Sequence, residues 1–209
     1  MCRVAVAHYT RCPAQNLAVI TAQLVRLGAW LLEYAKTRGL RLVISGHSAG
    51  AHLAAMMLTS DWFLHLDESS AKVFNGVVLL SGECLWVKLK LKMFLLGVFD
   101  LAPILKTSVN IPQMGINQDN IPTLSPLRNE NIARLSERAR HIRFWIVVGE
   151  NDSQAFKNQA KDYYNKLLSN KFNVSMTEQE IEDHFSLVEK LKDQEYSLST
   201  AIINFMRGK

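Results

Sequence analysis

The chain has 209 residues, of which 48% are hydrophobic and 21% charged, a balance typical of one well-packed globular domain spanning residues 1–209. The formal net charge is +5, but the lysines and arginines are scattered without interleaved aromatic residues, which argues against a nucleic-acid-binding protein. Three cysteines, Cys2, Cys12 and Cys84, lack metal-ligand spacing, so the sequence predicts no metal, no structural disulfide and a cytosolic location.

The first part of the chain predicts a strand, a helix and a second strand. Residues 3–7 have the composition of a strand, and a loop with Pro13 follows. Apolar residues then recur at three- and four-residue steps through residues 17–34, which predicts a helix that ends near Gly39. Residues 41–45 are short, apolar and β-branched, as in a buried strand.

Strands and helices continue to alternate through the rest of the chain. Strand-like runs occupy residues 73–80, 143–148 and 173–181, and helical patterns occupy residues 155–168 and 196–206. A proline-rich irregular stretch and a short charged helix lie between the strand-like runs at residues 73–80 and 143–148. Such alternation predicts an α/β fold with a mostly parallel sheet and helices on both faces.

The sequence predicts neither a signal peptide nor a membrane-spanning segment. The first residues have neither the length nor the cleavage pattern of a signal peptide. The most apolar region, residues 85–105, is interrupted by Lys88, Lys90, Lys92 and Asp100. We therefore expect no membrane-spanning segment.

The stretch "GHSAG" breaks an apolar run between a predicted strand and a predicted helix. A serine at the apex of such a turn takes up strained backbone angles, and its neighbours two residues away are then glycines, here Gly46 and Gly50. The turn would present the Ser48 hydroxyl at a helix N-terminus, where N–H groups favour developing negative charge. The pattern predicts a nucleophile elbow with Ser48 as the nucleophile.

A serine nucleophile needs a base to take its proton and an acid group to orient that base. Asp152 and His184 follow the last two predicted strands, in the chain order expected for such a triad. Two alternatives stay open for Asp152, since it could be a turn residue or a helix N-cap. Glu150 and Asp100 are lesser candidates for the acid, and His184 could be an ordinary loop histidine.

The other histidines have weaker patterns. His47 and His52 flank the nucleophile and are expected to shape the pocket or to pack. His65 and His141 belong to no pattern, and no pair of histidines or carboxylates stands at ligand spacing with apolar support. The sequence predicts no metal site and no cofactor.

Several stretches together resemble one family more specifically than the elbow alone. They are "GHSAGAHLAAMML", "LSG" with "VFDLAPILKTSVN", "SPL", "VVGENDS" and "DHFSLVEKL", and they resemble kynurenine formamidase (arylformamidase), a family of α/β-hydrolases. The resemblance implies an α/β-hydrolase fold and hydrolysis of N-formyl-L-kynurenine to L-kynurenine and formate in tryptophan catabolism. By matching position, it implies that Ser48 is the nucleophile, Asp152 the acid and His184 the base.

The implied chemistry is acyl transfer from a small-molecule substrate. The backbone N–H of Ala49 would supply one oxyanion donor. The formyl group is small, so selectivity would come from the leaving group, whose aromatic ring and amino-acid head need apolar walls and polar contacts. Whether the protein forms a homodimer is left open by the sequence.

Two features depart from the family's pattern. The family has an H-G-G stretch before the nucleophile, which completes the oxyanion hole, and no Gly-Gly pair occurs here. The chain is therefore expected to lack the N-terminal strands and that loop, and the sequence leaves open whether it is active as it stands. Losing one oxyanion donor typically costs about 10²–10³ in rate.

The second departure is an insert segment, residues 83–97, between "LLSG" and "VFDL". Its two ends can be encoded by splice-donor and splice-acceptor sequences in the same codon phase, so one hypothesis is a retained intron. A lid or edge hairpin is the alternative, because Val87, Leu89 and Leu91 alternate with lysines. An amphipathic membrane-contact segment is a third, weaker interpretation.

Two other functions remain open at this point. The chain could be another carboxylesterase or amidase of the same fold, or a non-catalytic relative that acts by binding. Release of formate from N-formylkynurenine, compared with hydrolysis of simple aryl esters, separates the first from the family function. Loss of all hydrolysis in Ser48→Ala would exclude the non-catalytic relative.

Overall fold

The computed structural model of the chain describes residues 3–81, 99–106, 110, 112–135 and 137–208. Four strands in this part of the chain form one parallel sheet in the order β1-β2-β3-β4. They are β1 (Leu42–His47), β2 (Phe74–Leu80), β3 (Arg143–Gly149) and β4 (Asn173–Gln179). The sequence predicted all four, within two residues at each end.

Helices connect and follow the strands. They are α1 (Leu17–Lys36), α2 (Ala49–Leu58), α3 (Asp61–Leu64), α4 (Glu68–Ala71), α5 (Ile121–Leu124), α6 (Asn129–Leu135), α7 (Gln154–Ser169), α8 (Ser186–Glu189) and α9 (Ser197–Arg207). Short 3₁₀ helices lie at Ala102–Lys106, Pro112–Met114, Glu137–Ala139 and Lys190–Lys192. The long predicted helices correspond to α1, α7 and α9, and the helix after the elbow is α2.

The sheet is covered on both faces, as predicted for an α/β fold. Side chains alternate across a strand, so neighbouring residues of β2 face opposite ways. Val77 and Leu79 belong to a core with α1, α2 and α7, whereas Val78 and Leu80 pack with residues of α8 and α9. Burial on both faces explains why the central strands are continuous apolar runs without a polar residue at every second position.

The strand predicted at residues 3–7 is wrong. These residues have no regular secondary structure, and the side chains of Val4 and Val6 are 84% and 91% exposed. A strand is stabilised by hydrogen bonds to a neighbour and by burial, and residues 3–7 pair with none of the described strands. Composition alone was therefore not sufficient to form a strand here.

Helix α1 has the length and apolar composition of a membrane span, which the sequence reading did not anticipate. A helix at the core of a folded protein passes the same test of length and composition. Ile20, Leu32 and Ala35 of α1 are buried in the protein, and Gly28 lies so close to α2 that a Cβ there would stand 2.5 Å from Sδ of Met57. The absence of a membrane segment stays a prediction.

The insert segment, residues 83–97, lies outside the described residues, and so do Cys2 and Cys84. The hypotheses of a retained intron, a lid and a membrane-contact segment therefore stay open. The described residues stop before the insert segment at Ser81, directly after β2, and resume after it at Phe99.

The parallel arrangement determines where a site can form. All four strands run in the same direction, so their carboxyl ends meet at one edge of the sheet. Ligand sites of open α/β sheets lie at this edge. Ser48 follows β1, Asp152 follows β3 and His184 follows β4, so the three predicted site residues lie in loops at the same edge.

Candidate active site

Ser48 stands between the end of β1 and the start of α2, as predicted for a nucleophile elbow. Its backbone angles are φ 59° and ψ −127°, a conformation that an L-residue with a side chain rarely adopts. Its backbone N–H donates to the carbonyl oxygens of Leu80 (3.1 Å) and Ser81 (3.2 Å) at the end of β2. Its side chain does not cap α2. The sheet thus holds the strained turn in place, and the hydroxyl is not used as a helix cap.

The two glycines of the elbow differ in what they do. A Cβ at Gly46 would stand 2.1 Å from the carbonyl oxygen of Gly50, so only glycine fits at the end of β1. A Cβ at Gly50 would meet no heavy atom of the described chain within 4 Å. The expectation that both positions must lack a Cβ is therefore correct for Gly46 and wrong for Gly50, because the contact between them requires space on one side only.

Asp152 lies in the turn after β3 and is buried. Its Oδ2 accepts hydrogen bonds from the backbone N–H of Gly149 (2.8 Å) and from the hydroxyl of Ser81 (2.7 Å). Its Oδ1 is also buried but has no hydrogen-bond partner among the described residues. The N-cap residue of α7 is Ser153, so Asp152 does not serve as the cap. One carboxylate oxygen is fixed, and the other is available to an N–H donor.

The two lesser candidates for the acid have other partners. Asp100 accepts from Nη2 (2.8 Å) and Nε (3.2 Å) of Arg128 in a half-buried ion pair. Oε2 of Glu150 accepts from the backbone N–H of Ile181 (2.8 Å), which ties the turn after β3 to the loop after β4. Both carboxylates are therefore occupied in ways that suit structural roles, and the geometry favours Asp152.

The loop that carries His184 is bound directly to the turn that carries Asp152. The backbone N–H of Asn151 donates to the carbonyl oxygen of Glu182 (2.9 Å). The contact is so close that a Cβ at Gly149 would stand 2.5 Å from that same oxygen. The loop is held on its other side by an ion pair between Glu182 and Lys190 (2.8 Å). The structure thus brings the loops of the predicted acid and base together.

Asp183 gives this loop its shape. Its carboxylate accepts from the backbone N–H groups of Ser186 and Phe185, both at 2.8 Å. These hydrogen bonds, with that of Ser186 the larger, hold the pKa of Asp183 below its usual range. The carboxylate is therefore ionised at neutral pH and anchors the residue directly before His184.

His47 packs against His184, which refines the expectation that it shapes the pocket. The centroids of their rings lie 4.4 Å apart, and Nε2 of His47 lies 2.9 Å from the backbone oxygen of His184. Burial, and after it the nearby His184 side chain, lower the pKa of His47 to about 4, whereas the hydrogen bond to the His184 backbone and the charge of Asp152 act in the opposite direction. His47 is therefore neutral at pH 7.

The remaining histidines have structural surroundings. His52 is buried, as expected for a packing residue, and its Nε2 lies 2.7 Å from the backbone oxygen of Leu124. Exposed His65 contacts the backbone oxygen of Asp61. His141 contacts the backbone oxygens of Ala71, at the end of α4, and of Phe74, at the start of β2. Within the described ranges no group of three His, Cys, Asp or Glu side chains is arranged to hold a metal ion.

Sequence reasoning missed Ser81. This residue is fully buried, it donates to Asp152, and its carbonyl oxygen accepts from the N–H of Ser48. It therefore contacts both the residue proposed as nucleophile and the residue proposed as acid. The signal that could have found it is a polar residue directly after a buried strand, in the stretch "VVLLSG".

Comparison with known proteins agrees with the fold. A family described as the alpha/beta hydrolase fold matches residues 1–187. The chain belongs to the α/β-hydrolase fold family. The structure matches esterase B of Lactobacillus rhamnosis with a TM-score of 0.64 at 16% identity, over 96% of this chain and 64% of that one. It also matches carboxyl esterase 2 of Tuber melanosporum with a TM-score of 0.54 at 18% identity, over 95% of this chain and 64% of that one.

Curated relatives of this α/β-hydrolase are more specific. The chain is 32% identical to kynurenine formamidase of Danio rerio and 31% identical to that of Salmo salar, in both cases over 95% of this chain and 60% of the relative. It is 27% identical to kynurenine formamidase of Drosophila melanogaster, over 97% of this chain and 62% of the relative. The resemblance found from the motifs is therefore confirmed. The chain spans about 60% of the length of the first two relatives.

Proposed function

We propose that this α/β-hydrolase is an arylformamidase-type serine hydrolase, which hydrolyses N-formyl-L-kynurenine to L-kynurenine and formate. The observation that carries the proposal is the strained turn at Ser48, φ 59° and ψ −127°, at the edge of the sheet where the loops of Asp152 and His184 also meet. The substrate follows from the similarity to kynurenine formamidases. The three residues are proposed as nucleophile, acid and base.

The geometry around Asp152 supports its proposed role as the acid that orients His184. Asp152 is fixed through Oδ2 and has Oδ1 available for an imidazole N–H. In this role it would select the tautomer of His184 and stabilise the imidazolium that forms during the reaction. His47 is neutral beside it, so no second positive charge opposes that imidazolium.

The reaction then has two halves. His184 takes the proton of the Ser48 hydroxyl as the serine oxygen attacks the formyl carbon, and the carbonyl oxygen becomes an oxyanion. The carbon–nitrogen bond breaks, His184 gives its proton to the departing aryl amine, and a formyl-serine remains. Water, deprotonated by His184, attacks that ester. The serine oxygen takes the proton back, and formate leaves.

The oxyanion faces the start of α2. Ala49 is the first residue of that helix, and the first N–H groups of a helix have no intrahelical acceptor. The N–H of Ala49 is therefore the proposed oxyanion donor from this side, aided by the positive end of the helix dipole. The partner donor of the family, on an H-G-G stretch, has no counterpart in this sequence.

The experiment that tests the function is release of formate from N-formyl-L-kynurenine, measured beside hydrolysis of simple aryl esters. We expect a higher kcat/KM for the formamide and complete loss of both reactions in Ser48→Ala. A matched control is Ser45→Ala, an exposed serine three residues earlier on β1, which should retain full activity.

Each other outcome contradicts a specific part of the proposal. A preference for plain esters would make the protein a general esterase of the same fold. Hydrolysis that persists in Ser48→Ala would exclude Ser48 as the nucleophile. A complete absence of hydrolysis in the unaltered protein would favour a relative that acts by binding. The cytosolic location and the single domain stay predictions, which cell fractionation and limited proteolysis would test. Whether the protein forms a homodimer stays open, and sedimentation would decide it.

A further inference from the structure

Ser81 occupies a position that its backbone does not favour. Its φ is 32°, a positive value that is unfavourable for a residue with a Cβ and that glycine adopts readily. Its backbone is nonetheless firmly held, because its N–H donates to the carbonyl oxygen of Val147 (2.7 Å) and its carbonyl oxygen accepts from Ser48 (3.2 Å). A serine at such a position is best explained by what its side chain does.

The side chain of Ser81 binds one specific atom of Asp152. Its hydroxyl donates to Oδ2 at 2.7 Å, and both residues are buried. Oδ2 also accepts from the N–H of Gly149 at 2.8 Å, so two donors, one directly after β2 and one at the end of β3, fix this oxygen. A carboxylate held at one oxygen by two donors cannot rotate freely, and hydrogen bonds to a charged group are stronger than those between neutral groups.

The other oxygen of the carboxylate is left available. Oδ1 of Asp152 is buried and has no hydrogen-bond partner among the described residues. A buried carboxylate oxygen without a donor is unfavourable, and one that persists calls for an explanation. The two donors on Oδ2 leave Oδ1 as the oxygen that would accept from an imidazole N–H of His184, whose loop adjoins the turn of Asp152.

From this geometry we infer that Ser81 is a positioning residue of the triad. It acts through Asp152 and does not touch the substrate. The inference rests on the proposed function, because a positioning role has meaning only where Asp152 orients a catalytic base. It also explains why a buried polar residue directly follows β2, the strand whose end carries no member of the proposed triad.

The test compares four variants of the full chain. Ser81→Ala and Ser81→Gly both remove the hydroxyl; alanine keeps the Cβ at φ 32°, whereas glycine also relieves the strain there, so the two variants separate loss of the hydroxyl from a change in backbone strain. Ser81→Cys retains a weak donor. Ser153→Ala is the matched control, because Ser153 adjoins Asp152 and its buried hydroxyl bonds to no described residue.

Two readouts distinguish positioning from a structural role. We expect Ser81→Ala and Ser81→Gly to lower kcat about 10- to 100-fold, the range for lost hydrogen bonds to a charged group, with KM within about twofold. Ser81→Cys should recover part of the loss, and Ser153→Ala should match the unaltered protein. The second readout is a downfield proton resonance, which the inference predicts for an imidazole N–H of His184 that donates to Asp152. It should weaken or shift upfield in both Ser81 variants.

The resonance does not depend on turnover, so the inference can be judged even if the proposed function fails. Loss of the resonance in Ser81→Gly with an intact fold supports positioning whatever the substrate. A resonance and a kcat that stay unchanged in both Ser81→Ala and Ser81→Gly would overturn it. An unaltered protein that hydrolyses nothing, but shows the resonance and its dependence on Ser81, would overturn the proposed function alone.

Discussion

The ring of His47 lies 4.4 Å from the ring of His184, centroid to centroid, and Nε2 of His47 lies 2.9 Å from the backbone oxygen of His184. A carbonyl oxygen accepts hydrogen bonds, so Nε2 of His47 carries the proton and donates it. His47 directly precedes Ser48 along the chain. The proposed base is thus held from the same turn that presents the proposed nucleophile.

This contact predicts a moderate effect of His47 on turnover. His47→Phe keeps a ring against His184 but removes the donor, and a net loss of about 0.5–1.5 kcal/mol for one neutral hydrogen bond corresponds to a roughly 3- to 10-fold lower kcat. Steady-state kinetics on N-formyl-L-kynurenine measures it. The control is His65→Phe, at an exposed position outside the site. An equal effect of both substitutions would contradict a role for His47 in holding the base.

His52 predicts loss of stability in acid. Burial lowers its pKa from 6.5 to about 4 in the folded protein. Between these values the unfolded chain binds a proton that the folded chain does not, so the free energy of unfolding falls as pH decreases from 6.5 to 4 and is fully retained above 6.5. Each such group contributes a slope of about 1.4 kcal/mol per pH unit.

The measurement is denaturant unfolding at several pH values within this window. His52→Gln keeps an N–H for the backbone oxygen of Leu124 and does not titrate, so its slope should be smaller by roughly 1.4 kcal/mol per pH unit. His47, whose pKa is also lowered to about 4, continues to titrate in this variant. A slope unchanged by His52→Gln would show that His52 does not control the response to acid.

The strain at Ser48 predicts a difference between two inactive variants. Alanine keeps a Cβ at φ 59° and ψ −127°, whereas glycine adopts these angles at lower cost. Backbone strain of this kind is of order 1–3 kcal/mol, so Ser48→Gly should be more stable than Ser48→Ala by about 1 kcal/mol, although neither hydrolyses substrate. Chemical denaturation of the two variants gives the comparison. Equal stabilities would mean that the turn is not strained.

The two elbow glycines predict opposite outcomes for the same substitution. In Gly46→Ala the new Cβ would stand 2.1 Å from a backbone oxygen, which cannot move without disrupting the start of α2. Unfolding free energy should therefore fall by about 3 kcal/mol or more, as for overpacking against backbone, and activity should be lost.

Gly50→Ala is the matched control, because its Cβ meets no atom of the described residues within 4 Å. Alanine is the better helix former by about 1 kcal/mol, so this variant should be as stable as the unaltered protein or more so. Thermal unfolding of both variants is the measurement. A strong destabilisation by Gly50→Ala would show that the elbow is crowded on both sides after all.

The sequence predicted the sheet and the elbow well for a physical reason. Buried parallel strands must be apolar on both faces, so β2 and β3 stand out as short apolar runs that no loop would contain. The elbow couples a strand end, two glycines and a helix start, and few other structures satisfy all three. The predicted loops of Asp152 and His184 followed directly, because the carboxyl ends of parallel strands share one edge.

Other features depended on contacts that no local pattern contains. Residues 3–7 have the composition of a strand, but they pair with none of the described strands. Ser81 looked like an ordinary strand end, because only the fold shows that it lies 2.7 Å from Asp152. Gly50 needs no space for a Cβ because the crowding at the elbow is all at Gly46, where the backbone of Gly50 and Ala51 would meet one.

The measurement that tests the central claim most directly is labelling with a fluorophosphonate, followed by peptide mass spectrometry, with and without N-formyl-L-kynurenine. The account predicts one phosphonyl group per chain, on the Ser48 hydroxyl, and slower labelling when N-formyl-L-kynurenine is present. Modification of a different serine, or labelling of Ser48 that N-formyl-L-kynurenine does not slow, would contradict it.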